Sequence, residues 1–265
     1  MRTRKKIIEF NNFILSLISQ RRKDLESGKF LNSKDLLSTM LRSDPDSPYE
    51  PLTDEELVHN LNIFFLAGHD TTANTLSYAL YHLARNRDVQ DKLRNEIYQK
   101  MNLDDNQEKL VVPTSEQLKN MEYLNLVIKE TMRISPAVLQ IGRQLAEDYS
   151  IAEDNIVLPK GTNVGLSIYS ILNDPAVYPN PEKFDPERFL NNKYEADTYI
   201  PFGGGSRICV GMNFSLMEQK IFLALLLQKF DLSVTKDNPD YEKLRISGLG
   251  LTRPMDLKLN FEARF

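Results

Sequence analysis

Cysteine is almost absent: the 265 residues contain one, Cys209. An intrachain disulfide is therefore excluded, as is a zinc site built on several thiolates. Histidine is scarce too, and His59, His69 and His82 show no metal-ligand spacing. Long apolar runs are missing. The longest unbroken one is Ile221 to Leu227, bounded by Lys220 and Gln228, whereas a membrane-spanning helix needs about 20 residues. The chain as given is not expected to cross a membrane. Its basic opening, Arg2 to Lys6, leads into a stretch broken by Glu9, Asn11 and Asn12, which does not form a secretory signal. A strong charge of either sign is also lacking. The net charge of -4 gives no reason to expect nucleic acid as a partner, and the basic runs at 2–6 and 21–23 read as solvated helix faces. No internal repeat, low-complexity tract or flexible linker divides the chain. A single domain over 1–265 is expected, and the length is enough for a sizeable core.

What is present is mostly helical patterning. Residues 1–27 space Ile7, Ile8, Phe10, Ile14, Leu15, Leu17, Ile18 and Leu25 as an amphipathic helix that Gly28 ends. A short helix is expected around 34–42, and Asp44 to Pro48 reads as a loop. Thr53 and Glu56 have the form of a capping box. From Leu57 to Arg85 no proline interrupts, and apolar residues occur on several faces, which suits a helix through the middle of a domain. Further helices are expected over 89–101, 115–119, 121–133 and 211–230. The Ser135-Pro136 pair stops the helix over 121–133. Short strands are expected over 138–144, 156–158 and 162–168, with a proline-rich irregular stretch over 174–202. The chain should end in short strands with turns at Gly248, Gly250 and Pro254.

The segment with the strongest chemical character is Phe202-Gly203-Gly204-Gly205-Ser206-Arg207-Ile208-Cys209-Val210-Gly211, directly ahead of a helix. Glycines let a backbone turn tightly and approach a flat cofactor. A sulfur placed just before a helix sits at the positive end of its dipole, an arrangement that favours a thiolate. Such a sulfur on a haem iron pushes electron density toward bound oxygen. Two other readings remain open on these residues alone. A phosphate-cradling loop lacks its lysine followed by Ser or Thr. A cysteine nucleophile lacks a histidine nearby in sequence.

Four segments, in order, are similar to signatures of the cytochrome P450 family. Phe202, Gly205, Arg207, Cys209 and Gly211 resemble its cysteine loop. Ala67-Gly68-His69-Asp70-Thr71-Thr72 resembles the oxygen-activation motif of the long central helix. Glu130-Thr131-Met132-Arg133 resembles the Glu-x-x-Arg motif, and Pro186-Glu187-Arg188-Phe189 the segment that packs against it. The resemblance implies a mainly α fold with small β-sheets, a long central helix over a haem, and the cysteine loop beneath it. It implies haem b (iron protoporphyrin IX) with Cys209 as iron ligand. Asp70 and Thr71 would deliver protons, while Ala67 and Gly68 would belong to the dioxygen groove and His69 would be a bystander. Glu130, Arg133 and Arg188 would form a buried network that supports the cofactor. Arg143 and Arg207 would pair with its propionates, since guanidinium groups bind carboxylates as a fork. Ala137 to Leu139 and Ser247 to Leu251 would line the substrate pocket.

By the same resemblance, the activity is monooxygenation of a small apolar organic substrate, with electrons from NADPH-cytochrome P450 reductase or another donor. No flavin or nicotinamide fingerprint is visible, which agrees with an external donor. The resemblance covers essentially the whole chain but only the C-terminal half of a usual, eukaryotic-like member. Such members are usually held at the endoplasmic reticulum by an N-terminal anchor, which these residues do not include; expressed alone, the chain would be cytoplasmic. Leu172 stands where the family often has a histidine. A truncated haem-binding chain without turnover is the alternative expectation.

Overall fold

Two apolar clusters organise the chain, and each belongs to its own compact unit, Met1–Asp70 and Thr71–Phe265. The computed structural model describes residues 2–42, 51–104, 108–151, 156–192, 194 and 197–265. The loop expected over 44–48 lies outside the described residues.

In the first unit, α1 (Arg2–Glu26) buries Ile14 and Ile18, which helical spacing places on one face. They pack with Leu57 and Val58 from the start of α3 (Asp54–Arg85). Between them lies α2 (Leu36–Leu41), shorter than the sequence pattern suggests because Asp35 serves as its N-cap, accepting from the Ser38 amide. Hydrogen bonds from Ser33 and Ser38 hold the Asp35 carboxyl below the usual carboxylate range. The expected capping box forms: the Glu56 amide donates to Thr53 Oγ1 at 3.3 Å, and the Glu56 carboxylate accepts from the Thr53 amide at 2.8 Å. It starts α3 at Asp54, ahead of the first apolar residue of the pattern.

The second unit contains the rest of α3, α4 (Arg87–Met101), α5 (Ser115–Lys119), α6 (Glu122–Ile134), α7 (Ile168–Leu172) and α8 (Met212–Lys229). Leu93 and Ile97 of α4, Leu124, Val127 and Ile128 of α6, and Leu223 and Leu227 of α8 form one buried cluster with Leu83 of α3. The sets are spaced three or four residues apart, so α4 and α6 each contribute an apolar stripe, while α8 is apolar on several faces. Among the described residues, eight short strands pair two by two. Along the chain, β1 (Gln140–Gln144), β2 (Tyr149–Ile151), β3 (Ile156–Leu158) and β4 (Asn163–Ser167) form the antiparallel ladders β1·β4 and β2·β3. Near the C-terminus, β5 (Phe230–Ser233), β6 (Ile246–Ser247), β7 (Arg253–Pro254) and β8 (Asn260–Ala263) form β5·β8 and β6·β7. The turn between β6 and β7 requires glycine: Gly248 has a φ of 114°, and a Cβ there would meet the Leu251 carbonyl oxygen at 1.9 Å.

Two elements differ from the sequence reading. The strand β2 and the helix α7 were not expected, and both are too short to show a period. The expectation of an enclosed central helix is met only in part. Tyr78, Ala79 and Leu83 are buried, but Ile63, Phe65 and Leu66 are exposed.

Polar side chains also fasten the core. Gln90 donates to the carbonyls of Leu83 and Leu232, each at 3.0 Å, and accepts from the Leu232 amide at 2.9 Å. One turn on, Arg94 donates to the Leu227 carbonyl and pairs with Asp231 at 2.6 Å. His82 is buried against Phe184, ring on ring at 4.6 Å, with Nε2 2.9 Å from Ser135 Oγ. Burial, and then the nearby Arg133, push its pKa down to about 3 from 6.5. The folded state thus keeps His82 neutral where the unfolded chain takes up a proton. Its contribution to stability is full above pH 6.5 and is lost as pH falls toward 3. Urea unfolding across this window should show a His82→Gln variant with a shallower pH slope, by up to about 1.4 kcal/mol per pH unit.

Candidate functional site

The cysteine loop is tied at both ends. Phe202 packs against the core of the second unit and anchors the entry. Gly203 and Gly205 take φ values of 75° and 67°, in the left-handed region that favours glycine. After a single 3₁₀ turn, Gly205–Arg207, the Cys209 amide donates back to the Phe202 carbonyl at 3.1 Å. The Met212 amide then donates to the Cys209 carbonyl at 3.3 Å, and Gly211 caps α8. Cys209 is left exposed on a loop whose backbone closes on itself.

Its surroundings are apolar and roomy. Ile208, Val210 and Phe214 are all exposed, Val210 at 85%. Among the described residues, chain neighbours aside, no heavy atom lies within 4 Å of where a Cβ would stand at Gly204 or Gly205. Strand β1 passes beside the loop, with Ile141 Cδ1 3.8 Å from the corresponding point at Gly203. Arg143 follows Ile141 on the same face of that strand. Arg143 and Arg207 are both exposed, and among the described residues neither forms an ion pair with a carboxylate.

Glu130 is the centre of a second constellation, with both side-chain oxygens out of water. Arg133 Nε donates to its Oε2 at 2.8 Å, and Arg188 Nε to its Oε1 at 3.0 Å. The Asp185 amide adds a bond to Oε1 at 2.9 Å. Arg133 reaches on to the carbonyls of Leu172 and Pro181, and Arg188 to those of Pro179, Asn180 and Lys183. Burial would lower the pKa of the Arg188 guanidinium, and the Glu130 charge reverses this and raises it. The irregular stretch before the cysteine loop is thus pinned by charge-assisted hydrogen bonds.

The residues of α3 are divided between the units. Ala67 and Gly68 are exposed in the first, where Asp70 Oδ1 lies 2.8 Å from His69 Nδ1. In the second, the Thr75 hydroxyl donates to the Thr71 carbonyl at 2.9 Å, while Thr72 Oγ1 lies 2.9 Å from Ser215 Oγ on α8. The sequence reading missed that last contact, since nothing local to either residue announces it. The two expected pocket segments do come together. Val138 bridges Leu251, the Leu139 amide donates to the Gly250 carbonyl, and the Thr252 amide donates to that of Ala137.

The family model "Cytochrome P450" matches residues 1–260. This chain belongs to the cytochrome P450 family. It is 39% identical over 215 residues to cytochrome P450 9e2 of Blattella germanica, with 80% of this chain and 39% of that protein covered. It is 38% identical over 231 residues to cytochrome P450 3A31 of Mesocricetus auratus (85% and 44%) and 35% identical over 243 residues to human cytochrome P450 3A5 (90% and 47%). The chain spans about half the length of the curated relatives it matches. The mainly helical architecture with small antiparallel sheets is that of cytochrome P450. Cytochromes P450 are haem-thiolate monooxygenases that act on organic substrates and draw electrons from a redox partner. Among the described residues, no helix is long and apolar enough to cross a membrane.

The residues present fit a haem. An exposed soft sulfur suits the iron, the apolar rim of Ile208, Val210 and Phe214 suits the ring, and the exposed guanidiniums of Arg143 and Arg207 suit the carboxylates. The irregular stretch that precedes the cysteine loop depends on Glu130. Replacing it as Glu130→Gln leaves two buried guanidiniums without their counter-charge and should cost about 3–5 kcal/mol in urea unfolding.

Proposed function

We propose that this chain forms the C-terminal, haem-holding part of a single cytochrome P450 domain, within a monooxygenase of apolar organic substrates. The exposed Cys209 on its closed glycine loop is the observation that carries this reading. Among the described residues no three His, Cys, Asp or Glu side chains could share a metal ion. When bound, the haem supplies dioxygen binding and O–O cleavage, and one oxygen atom goes to substrate and the other to water.

The protein's share is holding, orienting and proton handling. Cys209 Sγ ligates the iron, with Phe202, Gly205 and Gly211 shaping the loop around it. Arg207 and Arg143 bind the propionates, and Glu130, Arg133 and Arg188 keep the supporting stretch in place. On α3, Ala67 and Gly68 give room for dioxygen. The Asp70 carboxylate, partly open to water and held by His69, takes up protons that Thr71 Oγ1 passes inward. Ala137 to Leu139 and Ser247 to Leu251 offer an apolar wall to substrate. Electrons come from NADPH-cytochrome P450 reductase or a similar donor.

The test is the carbon monoxide difference spectrum of the reduced, haem-loaded chain. A strongly red-shifted Soret band, absent in Cys209→Ala, is expected. A band that survives the substitution, or a histidine-type band in the unmutated chain, would overturn the assignment. A second reading, a chain that holds haem without turning over, is favoured by the exposed Ile63, Phe65 and Leu66, which leave apolar surface beside the oxygen motif open to water. Product formation with added reductase and a panel of apolar substrates decides between the two readings.

A further inference from the structure

The assignments above leave Ser215 without a role, although it joins two buried polar side chains. Thr72 Oγ1 lies 2.9 Å from Ser215 Oγ, and Gln219 Nε2 donates to the same Ser215 oxygen at 3.1 Å. Thr72 is 3% exposed and Gln219 1%. Polar groups at such depth are costly unless paired, and Ser215 Oγ is the partner they share. The neighbouring hydroxyls on α3 behave differently. Thr75 and Ser77 turn back onto their own helix, donating to the carbonyls of Thr71 and Ala73, as such residues usually do. Thr72 instead reaches another helix. Ser215 stands in the first turn of α8, where its amide donates to the Gly211 carbonyl at 2.9 Å, and Gly211 in turn adjoins the cysteine loop. Thr72 directly follows Thr71.

We propose that Ser215 is a positioning residue of the haem-thiolate centre. Its hydroxyl ties the Thr71–Thr72 segment to the first turn of the helix behind Cys209, which fixes the offset between the threonine that passes protons and the sulfur. This rests on the haem-thiolate reading. Ser215 acts through Thr72 and α8. Gln219 orients the Ser215 oxygen from one side, so that its hydroxyl is held toward α3.

Hydrogen exchange followed by mass spectrometry on the whole chain tests the tie directly. Ser215→Ala should speed amide exchange across 71–77 by about five- to tenfold, the factor that one net hydrogen bond is worth. Thr72→Val should do the same, the double variant should add little to either, and Ser215→Thr should restore the slow rate. In the haem-loaded chain, Ser215→Ala should also move part of the carbon monoxide complex out of the red-shifted band, with recovery in Ser215→Thr. Tyr98→Phe, which removes a buried hydrogen bond to the Gln228 carbonyl, should leave both readouts unchanged. Unaltered exchange at 71–77 in Ser215→Ala, or additive effects in the double variant, overturns the tie even if the thiolate band is normal. An unmutated chain without that band overturns the reading on which the proposal rests.

Discussion

The carboxylate of Glu130 is the point on which the second unit depends. It sits fully out of water, a position that a lone charge could not occupy. Two guanidiniums and a backbone amide satisfy it, and those guanidiniums spend their remaining donors on carbonyls between Leu172 and Lys183. That stretch has almost no regular structure with which to satisfy its own carbonyls. One buried ion cluster therefore does for an irregular segment what a ladder does for a strand. It also sets the path by which the chain arrives at Phe202 and the cysteine loop.

Regular helices were legible in the sequence because their apolar residues recur at helical spacing, in one stripe in α1, α4 and α6 and on several faces in α3, and because most have a recognisable end. The capping box at Thr53 and Glu56 is an example in which a side-chain rule located a terminus to within a residue or so. The candidate site was legible for a different reason: its parts lie in short segments whose residue types are unusual together, such as three glycines, an arginine and the sole cysteine. The short strands and α7 were harder to read, since two to five residues carry little or no period. Contacts between distant polar residues were not legible at all. Gln90 and Arg94 share the α4 face that carries Leu93 and Ile97, and their position within that stripe was the available signal. Thr72 and Ser215 offered none.

Exposure is distributed unevenly in a way that bears on chemistry. The core around Leu93, Leu124 and Leu223 is closed, whereas Ile208, Val210 and Phe214 at the cysteine loop and Ile63, Phe65 and Leu66 of α3 present apolar side chains to solvent. The rigid core of the second unit is thus formed within the described residues, while the apolar rim of its cysteine loop is open. Binding of a large flat group would remove much of that apolar area from water.

The clasp formed by Gln90 has a further consequence, for biosynthesis. Its partners on one side are close in sequence, but Leu232 lies 142 residues downstream. Until that strand has left the ribosome, the Gln90 amide lacks its bonds to Leu232 and the Arg94 guanidinium its bonds to Leu227 and Asp231, and α4 cannot be locked into the core. The nascent chain must therefore carry an unfinished, partly polar seam while the chain from Gln90 to Leu232, 142 residues on, is made. A pause or a premature stop anywhere before β5 would release helices that are individually well formed and collectively unable to close, the kind of species on which chaperones act.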